Sequence, residues 1–111
     1  MVLESYVATA LWSSTNSDTM EPMDDMYYIT DVPQSELDKC AADLGAFMSK
    51  AVQYLQPSEY SEAAHYFWLT RCGHGSTFLD MPNEHNRELY ELAHKWRSVD
   101  CYSSRGWVYF F

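Results

Sequence analysis

Apolar residues return at helical spacing in three stretches of the chain. Val2/Leu3, Tyr6/Val7 and Ala10/Leu11 recur every three to four residues and predict a short amphipathic helix ending near Trp12. Leu37, Cys40/Ala41, Leu44, Phe47/Met48, Ala51 and Leu55 repeat in the same way up to Pro57 and predict a long helix over 31–56. Asp31 and Ser35 are its candidate N-caps, Pro33 suits a first turn, and Glu36 and Asp38 lie near the positive end of the helix dipole. Cys40 falls on the buried stripe and reads as a small core hydrophobe. Leu89, Leu92/Ala93 and Trp96 mark the buried side of a further helix over 83–97, with Asn83 as its cap.

Between these stretches the pattern changes. Residues 13–26 cluster Ser, Thr, Asn and Asp with little apolar content, and such side chains compete for backbone hydrogen bonds, so a loop is expected. Tyr27, Tyr28 and Ile29 fit either a brief strand or a loop packed back on the core. One helical turn over 58–64 precedes an aromatic and branched run over 66–71, which reads as an interior strand with Phe67 and Leu69 on one face and Tyr66, Trp68 and Thr70 on the other. Gly73 and Gly75 then allow a sharp reversal into a second short strand over 77–79. Segments 99–102 and 107–111 flank Ser103, Ser104, Arg105 and Gly106 and predict a C-terminal hairpin. The fold class expected is α+β, a small antiparallel β-sheet with two to three helices packed on it, in one domain over 1–111.

The 111 residues are 47% apolar and include 4 Trp, 9 Tyr and 5 Phe, enough for one real core. Charge adds more. Sixteen acids against seven bases give −9, and the distribution is uneven: residues 1–38 carry eight acids and no Lys or Arg, whereas 39–111 carry eight acids and seven bases. The excess is therefore −8 in the first third and −1 in the rest, which disfavours nucleic acid or an anionic membrane as a direct partner and favours a basic surface. No apolar run reaches the 18 to 20 residues of a membrane-spanning helix, and the first residues lack a basic signal-peptide region, so an unexported protein is expected. Cys40, Cys72 and Cys101 are odd in number and widely spaced, consistent with free thiols in a reducing compartment.

Candidate chemistry is sparse. His85 and His94 are nine apart, on opposite sides of a helix, and cannot share a metal. Cys72, His74 and Asp80 lie close together but lack a second ligand pair, and a Cys72/His74 nucleophile and base lack an orienting group. The run from Gly73 to Thr77 has glycines and hydroxyls but no phosphate-loop lysine, and reads as a turn. An aromatic platform for single strands would need a basic groove, so Tyr66, Trp68, Trp107 and Tyr109 are assigned to core or interface. No catalytic residue, cofactor or metal is assigned.

The segment Phe67-Trp68-Leu69-Thr70-Arg71-Cys72-Gly73-His74-Gly75-Ser76-Thr77-Phe78-Leu79-Asp80 resembles that of a family of small accessory proteins from tailed bacteriophages, whose usual form is DFWLTRNGHGAGFWD. Phe67 to Arg71, Gly73 to Gly75, Phe78 and Asp80 agree; Tyr66, Cys72, Ser76-Thr77 and Leu79 depart from it. The opening Tyr6 to Thr15 is similar to the family's YLETALWSST, Glu21 to Asp24 to its EPLD, and Val99 to Tyr102 to its closing VDLYV. The resemblance implies viral origin and expression in the cytoplasm of a host bacterium. It implies no reaction.

Together these readings lead to an expectation: a small acidic phage protein that binds and inhibits a bacterial host or defence protein, as an anti-CRISPR or similar anti-defence factor, with nucleic-acid mimicry as one form. Asp18, Glu21, Asp24, Asp25 and Asp31 are the expected partner-binding residues. The alternative is a ligand-binding or catalytic protein using Arg71, His74 and Asp80 around the glycine turn, where Arg and His could hold an anion. A third reading is a homo-oligomer formed through the aromatic C-terminal strand.

Overall fold

A computed structural model describes residues 2–16, 19–73 and 75–111. Helix α1 spans Val2–Ser13 and buries Tyr6, Val7, Ala10 and Leu11, as their spacing predicts. Helix α2 spans Gln34–Ala51 and buries Cys40, Leu44, Phe47 and Ala51. Its N-cap is Pro33, with no side-chain cap, so neither Asp31 nor Ser35 fills that role. Asp31 instead closes the preceding 3-10 turn, where its Oδ2 accepts the Tyr28 N–H at 2.8 Å. The expected helix over 31–56 is thus α2 with a 3-10 turn on each side, Ile29–Asp31 before it and Val52–Tyr54 after it.

The largest correction concerns 66–71. This run is not a strand but the second half of helix α3, Tyr60–Cys72. Ala63, Ala64, Phe67, Trp68, Leu69, Thr70 and Arg71 are all buried, so α3 is covered on every side from Phe67 to Arg71, although Glu62 nearer its start is exposed. A helix buried on every side has no polar face to reveal its period, and its aromatic, branched composition then imitates a strand. Gly73 does reverse the chain, but as the left-handed C-cap of α3 (φ 68°, ψ 39°), its N–H donating to the Leu69 carbonyl. The expected second strand over 77–79 is a 3-10 turn, Phe78–Asp80, in which Thr77 Oγ1 accepts the Leu79 N–H and Asp80 Oδ2 accepts the Thr77 N–H.

Helix α4, Asn86–Ala93, is shorter than the 83–97 expected. Asn83 nevertheless prepares it, its Oδ1 accepting the His85 N–H at 2.6 Å. The C-terminal hairpin forms as predicted, from β1 (Cys101–Ser104) and β2 (Trp107–Phe110), paired antiparallel with Cys101 opposite Phe110 and Ser104 opposite Trp107. Arg105 (φ 54°) and Gly106 (φ 83°) both take positive φ, as a two-residue hairpin turn of the right twist requires. The fold is α+β, four helices with a two-stranded antiparallel sheet among the described residues.

Aromatic rings knit the core. Phe67 of α3 stacks on Phe47 of α2 at 4.2 Å, lies against Tyr6 of α1 at 5.7 Å and meets Trp96 edge-on at 5.5 Å. Trp68 contacts Tyr6 and Phe110 edge-on, and its indole N–H donates to Ser13 Oγ at 2.8 Å. Thr70 Oγ1 accepts the Phe78 N–H, fastening the turn after α3 back onto the helix. Among the described residues no helix is long and apolar enough to cross a membrane.

Candidate interaction face

The acidic segment is folded where it is described. The Asn16 N–H donates to the Glu21 carbonyl at 2.9 Å, Met20 N–H to the Asn16 carbonyl at 2.8 Å, and Met23 N–H to the Ser14 carbonyl at 2.9 Å. Asn16 is buried, and its Nδ2 donates to Ser103 Oγ, which ties the loop to the hairpin. Met23 is the apolar anchor, fully buried beneath a 3-10 turn Met23–Asp25. Once the anchor is inside, its neighbours must face out: Glu21, Asp24 and Asp25 are exposed. Asp31 is half-buried and engaged on the Tyr28 N–H, so it shapes the turn while adding charge. Asp18 lies outside the described residues.

What the acidic residues share this surface with was missed in the sequence. Met20 is 75% exposed, Tyr28 70% and Met26 39%, all within twelve residues of chain. Met20 also adopts φ 62°, a left-handed conformation unusual for a residue with a side chain. Thr19 Oγ1 lies 3.7 Å from Met26 Sδ and links the loop tip to the turn. A cleft of about 310 Å³ opens between α1 and this segment, lined by Glu4, Ala8, Leu11, Asp24, Tyr27, Tyr28 and Ile29. A wall of tyrosine, leucine and isoleucine with carboxylates among its lining suits a cationic head on an apolar stem. The missed signal was available: large apolar residues inside a polar loop, belonging to no periodic stripe.

Of the alternative cluster, Arg71 and Asp80 are described, and both are engaged elsewhere. Arg71 has a side chain only 2% exposed and points into the core. Its Nη1 donates to Asp43 Oδ2 at 2.9 Å and to Tyr6 Oη at 3.1 Å, its Nε donates to the Arg97 carbonyl at 3.0 Å, and the guanidinium lies over the Phe67 and Trp96 rings. Burial works against its charge, but Tyr6 and Asp43 outweigh it and hold Arg71 more firmly protonated than usual. Burial in turn pushes the Tyr6 phenol up, with Arg71 pulling the other way. Asp80 is occupied in capping Thr77, and His74 lies outside the described residues. Arg71 is therefore a structural tie between α1, α2, α3 and the segment after α4.

The cysteines also follow the core reading. Burial pushes the Cys40 and Cys101 thiols up to about 12, and raises Cys72 as well, so none is an activated nucleophile. His65 lies between α1 and α3, where burial lowers its pKa; because Thr9 Oγ1 donates to the Ser5 carbonyl, the 2.8 Å contact makes His65 Nδ1 the donor to Thr9. At the hairpin, Glu36 Oε1 accepts the Phe110 N–H and Lys39 Nζ donates to the Phe110 carbonyl, each at 2.8 Å. These two side chains of α2 cover that end of the β2 edge.

Comparison with protein-family models, with curated proteins and with solved structures gave no match.

Proposed function

We propose that this chain is a binding protein and not an enzyme, a phage product that docks its acidic face on a basic, nucleic-acid-facing surface of a bacterial protein and blocks it. Anti-CRISPR or related anti-defence inhibition in the host cytoplasm is the concrete form. The observation that carries the proposal is the juxtaposition on residues 20–31 of exposed Glu21, Asp24 and Asp25 with exposed Met20, Met26 and Tyr28 beside an apolar cleft. Carboxylates alone would serve solubility; carboxylates interleaved with exposed methionine and tyrosine have the composition of a contact surface. A partner lysine or arginine would lay its stem along Tyr27, Tyr28 and Ile29 with its head near Asp24. The phage setting rests on the resemblance of the segment from Phe67 to Asp80. The alternative site gains nothing from the placement of Arg71, whose guanidinium is committed to the core.

A plaquing assay tests the inhibitory role. Expression in a panel of bacteria with active CRISPR or restriction defence is expected to restore plaques of a targeted phage in at least one strain, and the combined E21Q, D24N and D25N variant to lose that effect while folding normally. Absence of rescue across the panel, or rescue undiminished in the variant, contradicts the proposal.

A further inference from the structure

We propose that the cleft between α2 and the C-terminal end of α4 binds a nucleoside di- or triphosphate, at a site separate from the acidic face. The cleft is about 430 Å³ and is lined by Ala46, Phe47, Lys50, Leu92, Lys95, Trp96 and Arg97. That volume is in the range of small-ligand pockets. Three of the chain's seven Lys and Arg line it, and among the described residues no acid does. Lys39 and Arg71 are paired with carboxylates, whereas among the described residues Lys50, Lys95 and Arg97 enter no ion pair. Three unpaired cations around one cavity match a polyphosphate better than a single carboxylate.

The rest of the wall is apolar and aromatic. Trp96 is half-buried and fixed from the core side, edge-on to Phe67 at 5.5 Å and under the Arg71 guanidinium at 5.3 Å. An indole held in this way, with Leu92 and Phe47 beside it, offers a surface on which a base can stack at little entropic cost. Lysines near helix C-termini also offset the macrodipole, and Lys50 in the last turn of α2 and Lys95 just past α4 could do only that. That role does not explain Arg97, nor why no described acid lines this cleft when Glu88 and Glu91 line the adjoining one. The −9 net charge makes the rest of the surface repulsive to polyphosphates, so any binding would be local to this cleft.

The test is calorimetric titration of the full chain with ADP and ATP, and separately with adenosine and with inorganic pyrophosphate. The proposal expects both nucleotides to bind more tightly than adenosine or pyrophosphate, and to weaken by about tenfold in K50A/K95A. Both lysines are exposed, so that variant should fold as the parent does, with thermal unfolding lowered only by the lost helix-dipole contribution. The variant E21Q/D24N/D25N should bind nucleotide unchanged, which separates this site from the acidic face. No detectable nucleotide binding at about 1 mM, equal affinity in K50A/K95A, or pyrophosphate binding as tightly as ADP would each overturn the proposal.

Discussion

Arg71 illustrates how one residue can be conspicuous in sequence and misread in role. Beside a glycine turn with His74 and Asp80 nearby it resembles an anion clamp, but helix geometry puts it one turn from Phe67 and on the same face. Its guanidinium then satisfies Asp43, the Tyr6 hydroxyl and the Arg97 carbonyl at once. Replacing Arg71 with Met should cost about 3 kcal/mol in urea unfolding, since the buried Tyr6 hydroxyl, the Asp43 carboxylate and the Arg97 carbonyl all lose their donor. Arg71→Lys should recover little of that, because an ammonium cannot span three acceptors set for a planar fork. A loss below about 1 kcal/mol for Arg71→Met would show that the tie is not structural.

Glu36 is the corresponding acid. Burial raises its pKa, yet the Phe110 N–H and Lys39 together outweigh burial and hold the carboxyl below its usual range. A lowered folded pKa contributes stability above the unfolded carboxylate pKa, and that contribution is lost as pH falls through the folded value. Glu36→Gln should therefore melt lower than the parent at pH 7, with the two melting temperatures converging as the pH is lowered through the folded pKa of Glu36. A constant gap across that range would mean that the charge of Glu36 contributes nothing.

At the scale of elements, helices with one wet face were legible and the enclosed one was not. α1 and α2 alternate buried and exposed positions at three to four residues, so the stripes of Tyr6, Val7 and Ala10 and of Cys40, Leu44 and Phe47 identify them. α3 lacks that contrast, and only the Ala63-Ala64 pair, good helix formers ahead of the aromatics, pointed the other way. The segment that most resembles phage proteins is thus largely core and cap, which makes it a signature of folding more than of chemistry. Two glycine substitutions separate cap from helix interior. Gly73→Ala should destabilise by about 1 kcal/mol, since its φ of 68° is left-handed. Gly45→Ala, at an exposed position inside α2 and with nothing within 4 Å of the added carbon, should stabilise by about 0.5–1 kcal/mol. Chemical denaturation of both variants checks the opposite signs.

For the molecule as a whole, charge was the legible property and surface chemistry was not. Eight acids without a base in residues 1–38 marked an acidic side, but which apolar groups stand among them depends on Met23 turning inward and Met20, Met26 and Tyr28 outward. The basic cleft was invisible for a similar reason, because Lys50 and Arg97 lie 47 positions apart and meet only when α2 packs beside α4. Met20 offers a further test at this scale. Met20→Gly relieves a left-handed φ, so stability should hold or rise by up to about 1 kcal/mol while partner affinity falls, a combination that simple unfolding cannot produce.

The most direct test of the acidic face is affinity capture from lysates of defence-bearing bacteria, run side by side with the parent chain, E21Q/D24N/D25N and Tyr28→Ala, washed at rising salt and identified by mass spectrometry. The proposal predicts one nucleic-acid-handling or defence protein retained by the parent at low salt, released as salt rises, and lost from both variants. The same proteins retained equally by all three chains, or no protein enriched by the parent, would contradict it.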